Sequence, residues 1–321
     1  MIDGHGDDGY KYKGIRMNFS SNIPTFVDLS ALEEHLRSRI SVIRTYPEPS
    51  PRALEAKIAN FTGKSASQVM VTSGATEAIY VIAQHLSHEK TFTITHPTFS
   101  EYESACRMFG MQEAEAGAVC WLCNPNNPTG EIFDEAYIRQ LASKHRWLII
   151  DQSYEDYTLR PLPAIDLPNV ICLHSMTKRY CIPGLRLGYI TASKQVIEQL
   201  QQIRRPWAVN AMAIEAGLWL MEHRPQWIDM PVYLAEAQRL RSALNAIPDI
   251  HAQETQTNFM LCTIKAHTAS ELKEYLASEH GILIRDASNY YGLTPHHFRV
   301  AAQRPEDNDL LVNAIKQMSD A

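Results

Sequence analysis

Between about residue 50 and residue 205 the chain alternates short apolar runs with amphipathic stretches, and this alternation restricts the fold more than any other feature of the sequence. Strand-like runs occur at Gln68 to Thr72, Thr91 to Thr95, Ala118 to Cys123, Trp147 to Asp151, Val170 to His174 and Leu185 to Thr191. Helical patterns such as Glu77 to Leu86 separate them, the signature of βαβ units around a mostly parallel sheet. Ser50 followed by Pro51 reads as cap and first turn of a helix that ends at Gly63. From about Ala208 the pattern changes to long helices, then a strand at Asn258 to Ile264 and a helix at Ala269 to Glu279. Strands near Ile282 to Arg285 and Phe298 to Ala301 and a last helix complete a smaller α+β part. The expected architecture is α/β: a large, mostly parallel sheet domain over residues 41–221, with 1–40 and 222–321 forming the smaller domain. No repeat or flexible linker separates the two, which puts the boundary inside a helix.

At 321 residues both parts can bury a substantial core. The 36 acidic and 30 basic residues leave a net charge of -6, which favours a small-molecule substrate over nucleic acid. Six cysteines (Cys106, Cys120, Cys123, Cys172, Cys181, Cys262) lie mostly in apolar, strand-like runs, as reduced core thiols do. The stretch from Met1 to Arg16 is polar and no run is apolar for long enough to cross a bilayer, so the expectation is a cytoplasmic protein with no membrane partner.

The chemistry-bearing stretch is Leu173-His174-Ser175-Met176-Thr177-Lys178-Arg179-Tyr180-Cys181-Ile182-Pro183-Gly184-Leu185-Arg186. A lysine that attacks an aldehyde must be partly desolvated and near other cations, so that its amine is neutral often enough to react. Lys178 follows a strand with Arg186 close in sequence, and Ser175, Thr177 and Arg186 offer donors to a phosphate. Alone, this segment also reads as a surface turn. Val71-Thr72-Ser73-Gly74-Ala75-Thr76-Glu77 runs from strand through a small-residue turn into a helix, where free N–H groups can cradle a phosphate. Asp151 ends a strand where ligand-facing side chains sit in an open α/β sheet; it suits a protonated pyridine nitrogen, or a helix cap. Asn124-Pro125-Asn126-Asn127-Pro128-Thr129-Gly130 is a rigid polar loop with oriented amides, or a plain tight turn. Cys120-Trp121-Leu122-Cys123 has metal-like spacing but sits in a strand without a second ligand pair, and reads as core. His296 and His297 read as structural or substrate-proximal, and no metal site is expected.

Together these segments resemble the fold-type-I pyridoxal-phosphate enzymes of the aminotransferase class I and II group, over nearly the whole chain and in the same order. The resemblance implies pyridoxal 5'-phosphate as cofactor, Lys178 as its Schiff-base lysine and Asp151 as partner of the ring nitrogen. It implies Tyr154 and Asn127 at the 3-oxygen and Phe99 stacked on the ring. For the phosphate it implies the backbone of Gly74, Ala75 and Thr76 with Ser175, Thr177 and Arg186. Tyr46, in Arg44-Thr45-Tyr46-Pro47, looks like the tyrosine that reaches the phosphate from a neighbouring subunit, which implies a homodimer. Arg299 matches the arginine for the substrate carboxylate, with Asn127 beside it. Arg285 matches an arginine for the phosphate tail in the branch acting on phosphorylated amino acids.

Within that branch, Arg204 to Ala211, Ile284 to Leu293, Phe298 to Ala301, His5-Gly6 and Asn18 to Asn22 look like the threonine-phosphate decarboxylases of cobalamin synthesis. The histidinol-phosphate aminotransferases are the alternative, and a non-catalytic protein that keeps the cofactor pocket is a third reading. The chain departs from the group at Gln152, where glutamate is common, at Asn22-Ile23-Pro24, and in a shortened stretch from Gly110 to Val119.

Overall fold

The computed structural model describes residues 6–319, so His5 lies outside the described residues. Its strands are β1 (Met17–Asn18), β2 (Val69–Thr72), β3 (Thr91–Ile94), β4 (Gln112–Glu113), β5 (Val119–Cys123), β6 (Trp147–Asp151), β7 (Val170–Ser175), β8 (Gly188–Thr191), β9 (Ile250–Ala252), β10 (Phe259–Ile264), β11 (Ile282–Leu283), β12 (Arg285–Asp286) and β13 (His297–Ala301). The α-helices are α1 (Ser30–Ser38), α2 (Arg52–Thr62), α3 (Gly74–Leu86), α4 (Glu101–Met108), α5 (Glu135–Lys144), α6 (Met176–Arg179), α7 (Lys194–Ile203), α8 (Ala211–His223), α9 (Met230–Asn245), α10 (Ala269–His280) and α11 (Pro305–Ser319). None of them is long and apolar enough to cross a membrane.

The large sheet runs β2-β8-β7-β6-β5-β3-β4. Its middle strands are continuous apolar runs because helices cover both faces, as in buried parallel sheets. β8 alone breaks the parallel order, running antiparallel to β7 and β2. The link from β7 to β8 holds only α6 and a 3-10 turn at Pro183–Leu185, so the chain turns back instead of crossing over the sheet. Cys123 pairs with Asp151, Asp151 with Leu173, and Ser175 with Gly188, which aligns the carboxyl ends of β5, β6 and β7 at one edge. That edge is where ligands bind in open α/β sheets.

A second, four-stranded sheet runs β12-β13-β10-β9, packed with α9, α10 and α11 around Phe259, Phe298 and Leu311. Tyr154 and Tyr157, just after β6, insert into this second core. The segment expected as one strand near Ile282 to Arg285 divides: β11 pairs in parallel with β1, whereas β12 pairs antiparallel with β13. β1, β4 and β9 carry too few residues for a periodic signal and were not expected. β4 lies in the shortened stretch after Gly110 and forms the sheet edge beside β3.

Two local expectations change. α2 does end at Gly63 in a left-handed conformation, φ +69°, but neither Ser50 nor Pro51 caps its start through a side chain. The Arg52 N–H instead donates to Glu48 Oε2 at 3.1 Å, while Ser50 Oγ accepts from Arg204 Nη1 at 3.0 Å. The strand expected from Leu185 begins only at Gly188, because Arg186 takes a positive φ of 57° that no strand accommodates.

Candidate active site

A cavity of about 550 Å³ opens at the carboxyl edge of the large sheet, between it and the second sheet. Ala75, Thr76, Phe99, Asn127, Asp151, Tyr154, Ser175, Thr177, Lys178, Arg186, Arg285 and Arg299 all line it. Of the residues that the resemblance assigns to cofactor or substrate, Gly74 and Tyr46 do not line it.

Lys178 leaves α6 directly after β7, with its N–H given to Ser175 Oγ at 3.4 Å. Its Nζ donates to the Ser21 carbonyl at 2.7 Å and stands 5.9 Å from the Tyr154 ring centroid. Burial, then the nearby Arg299 and Arg186 charges, push its amine down to about 8, against an opposing pull from Asp7. Neutral amine is therefore present near neutral pH, as attack on an aldehyde requires.

Asp151 is 4% exposed and forms no ion pair among the described residues. Its Oδ1 accepts the Ser153 N–H at 2.8 Å and its Oδ2 accepts the Tyr102 hydroxyl at 2.7 Å. Burial raises its pKa, and those hydrogen bonds, with His174 behind it, oppose the rise. His174 is itself fixed, 2.9 Å from Glu155 Oε1 and 3.1 Å from Thr191 Oγ1, and stacks on Tyr189. A buried carboxylate without a cation is costly unless a cationic group completes the site.

The anion cradle has three parts. α3 presents its first N–H groups at Ala75 and Thr76. Gly74 does not line the cavity, but it holds φ +77°, and a Cβ there would lie 2.9 Å from Arg186 Nη2. The absence of a side chain is what lets the guanidinium lie across the turn. Ser175 faces the cavity, whereas the Thr177 hydroxyl already donates to the Leu187 carbonyl at 3.3 Å.

Opposite Lys178, β12 and β13 place Arg285 directly across from Arg299. Both are buried, at 6% and 4% exposure. Arg299 reaches the Ser20 carbonyl and Asn127 Oδ1, and its Nε is buried without a partner. Arg285 bonds the Asp286 carbonyl and, at 2.7 Å, Asn289 Oδ1, with Tyr290 under its guanidinium. Among the described residues neither forms an ion pair with a carboxylate. Burial and Arg299 both lower the Arg285 pKa. Like charges facing across a strand pair repel, so the arrangement calls for anionic ligands. Asn127 Oδ1 also accepts the Tyr290 hydroxyl at 3.2 Å, which joins the 124–130 loop to the arginine pair.

Tyr46 is 85% exposed and packs on Trp207 with ring centroids 5.3 Å apart, away from the cavity of its own chain. His296 bonds the His267 carbonyl and His297 contacts Thr294, and neither lines the cavity. The Cys120-x-x-Cys123 pair splits, with Cys120 in the core beneath α5 and Cys123 on the cavity wall.

Sequence reasoning gave no individual site role to Ser21, Tyr102, Ser153, Asn289 or Tyr290, and read Cys123 as core. Tyr102 lies three residues after Phe99, Ser153 two after Asp151 and Asn289 four after Arg285, so each had a local signal, whereas Ser21 joins the site by bonding Lys178, 157 positions away. The donor set suits a dianionic phosphate joined to an aromatic ring with a basic nitrogen and an aldehyde. Helix N–H groups and Arg186 take the phosphate, Asp151 the nitrogen and Lys178 the aldehyde, so these residues fit pyridoxal phosphate.

Comparison with known proteins agrees with that geometry. The sequence pattern of the family described as aminotransferase class I and II matches residues 15–115 and 110–315. A provisionally named threonine-phosphate decarboxylase of Caldanaerobacter subterraneus subsp. tengcongensis is 33% identical, over 97% of this chain and 93% of that protein. A histidinol-phosphate aminotransferase of the same organism is 28% identical over 86% of this chain and 85% of its own length. The crystal structure of L-threonine-O-3-phosphate decarboxylase from Porphyromonas gingivalis superposes with a TM-score of 0.91 at 33% identity, covering 95% of this chain and all of that one.

Proposed function

Since the chain belongs to the aminotransferase class I and II family and is a pyridoxal-phosphate-dependent enzyme, we propose that it decarboxylates a short phosphorylated amino acid, L-threonine O-3-phosphate first among candidates. The observation that carries this reading is the Arg285–Arg299 pair: two buried guanidinium groups, directly opposed, without acidic partners among the described residues, in one cavity with Lys178. Such a pair suits a ligand whose two anionic groups are a few bonds apart, one on the carboxylate and one on the phosphate. Histidinol phosphate, the substrate named for the other group of relatives, has one anionic group and leaves one guanidinium unmatched.

Bound pyridoxal phosphate supplies an electron sink for the pair left on the substrate Cα when a bond there breaks. The protein's residues do the rest. Ala75, Thr76, Ser175 and Arg186 would hold the cofactor phosphate, Phe99 would cover the ring, and Tyr154 and Asn127 would serve its 3-oxygen. Asp151 would hold a proton on the ring nitrogen, which its own buried charge favours. Arg299 would take the substrate carboxylate and Arg285 the substrate phosphate, and the two contacts would orient the bond from Cα to the carboxylate for cleavage. Lys178 Nζ, poised near neutral pH, delivers the proton that replaces carbon dioxide at Cα. In a transaminase the same amine would remove the Cα proton instead. The decarboxylation product is (R)-1-amino-2-propanol O-2-phosphate, which places the reaction in cobalamin synthesis.

The site is completed by a second copy of the chain in this reading. Tyr46 extends from a surface that also exposes Ile40, Ile43 and Trp207, an apolar patch suited to a homodimer in which each Tyr46 meets the partner's cofactor phosphate. Incubation with threonine phosphate should release carbon dioxide and the amino-propanol phosphate. Formation of a keto acid with no carbon dioxide would replace decarboxylation by transamination.

A further inference from the structure

Asp151 takes its hydrogen bonds from Ser153 and Tyr102, and Tyr102 touches three side chains at once, Asp151, Trp121 and Phe99. Tyr102 is completely buried in α4. Its hydroxyl is 2.7 Å from Asp151 Oδ2. Its ring lies flat against Trp121 of β5, with centroids 5.2 Å apart and 13° between planes. It meets Phe99 edge-on at 5.8 Å and 82°. Phe99 is the aromatic that faces the cavity where a cofactor ring would lie, and Asp151 is the carboxylate that faces its nitrogen.

We propose that Tyr102 is a positioning residue for the ring nitrogen: its hydroxyl holds Asp151 ionised and aimed into the cavity, while its ring sets the angle of Phe99. This rests on the assignment of Asp151 to that nitrogen. Besides Tyr102, the donors to Asp151 are the Ser153 N–H and side chain, so loss of the Tyr102 hydroxyl takes one of few donors from a buried carboxylate. A buried carboxylate with fewer donors takes up a proton more readily, and a protonated Asp151 no longer pairs with a pyridinium. Burial raises the phenol's own pKa, so Tyr102 remains a neutral donor throughout the working range. The two ring contacts fix its position independently of the hydroxyl, so Tyr102→Phe keeps the ring in place and removes the hydroxyl from Asp151 and from the neighbouring Cys123 thiol.

The test is a binding measurement on the full chain freed of cofactor and titrated with pyridoxal phosphate and with its 1-deaza analogue, in which a C–H replaces the ring nitrogen. The unmodified protein should prefer pyridoxal phosphate strongly. Tyr102→Phe should reduce that preference about tenfold or more, the size of a hydrogen bond to a charged group. It should leave affinity for the analogue nearly unchanged. Trp121→Phe, which alters stacking and keeps the hydroxyl, should preserve the preference. Equal loss for both ligands in Tyr102→Phe, or an unaltered preference, would overturn the role given to the hydroxyl. If the unmodified protein binds both ligands equally well, the assignment of Asp151 fails first, and the role of Tyr102 with it.

Discussion

The pH dependence of cofactor capture by Lys178 follows directly from its surroundings. An ordinary lysine amine at 10.5 is neutral in about 0.03% of molecules at pH 7, whereas one at about 8 is neutral in about 9%, a gain of about 300-fold. Only the neutral amine attacks an aldehyde, so the rate should gain about tenfold per pH unit below 8 and level off above it. Stopped-flow mixing of apoprotein with pyridoxal phosphate between about pH 6.5 and 10, read by the visible band of the bound cofactor, measures this profile. The causes can be separated by sign. Arg299→Met removes a cation that lowers the amine's pKa and should move the midpoint up. Asp7→Asn removes the anion that raises it and should move the midpoint down. A rate still climbing steeply at pH 10 would mean that Lys178 behaves as a solvated lysine, and the reasoning from burial would be refuted. An unmoved midpoint in Arg299→Met would refute the electrostatic part alone. Stability has a linked dependence. Below about pH 8 the lysine is charged in both folded and unfolded states and the burial penalty is fully present. Between about 8 and 10.5 the unfolded chain holds more protons, so apoprotein stability climbs with pH.

Asp151→Asn should raise the melting temperature of the apoprotein, since a buried carboxylate without a cation disappears, yet lower kcat/KM about 100-fold or more, since the ring nitrogen loses its partner. Calorimetry and steady-state assay on the same preparation check the opposed signs. Arg285→Met should raise KM for threonine phosphate by about 30-fold or more while altering the weak binding of unphosphorylated threonine little, by loss of a charge-assisted hydrogen bond. Gly74→Ala should cost about 1–2 kcal/mol at its left-handed φ and weaken cofactor retention on dialysis, because the new Cβ displaces Arg186. Ile43→Glu should convert a dimer seen by sedimentation into a monomer with weakened cofactor binding, whereas Tyr46→Phe should weaken the cofactor and leave the dimer intact.

Much of the site was legible because its parts sit at the ends of local patterns. Asp151 closes an apolar run, Lys178 and Ser175 follow another, and Gly74 opens a helix, so strand periodicity and turn chemistry located them without a structure. Arg186 was legible as a cation near Lys178, but its positive φ, which shortens β8, was not: the constraint comes from packing across Gly74. The Ser50–Pro51 start of α2 was misread because Ser50 is taken by Arg204, 154 positions away. Nothing local announces such a competitor.

The sequence by itself determined the alternation of elements and marked, at the carboxyl ends of strands, residues that the fold gathers at one cavity, since each depends on the few neighbours that fix strand, turn or helix start. Tertiary structure alone decided that Arg285 and Arg299 face each other across one strand pair, that Asp151 is served by Tyr102, and that Asn127 is tied to Arg299. These contacts join segments as far apart as 172 positions, and their geometry comes from register between strands and packing between sheets. The charge balance that pushes Lys178 down to about 8 belongs to the same level, because burial and the Arg299 charge exist only once the second sheet closes over the first.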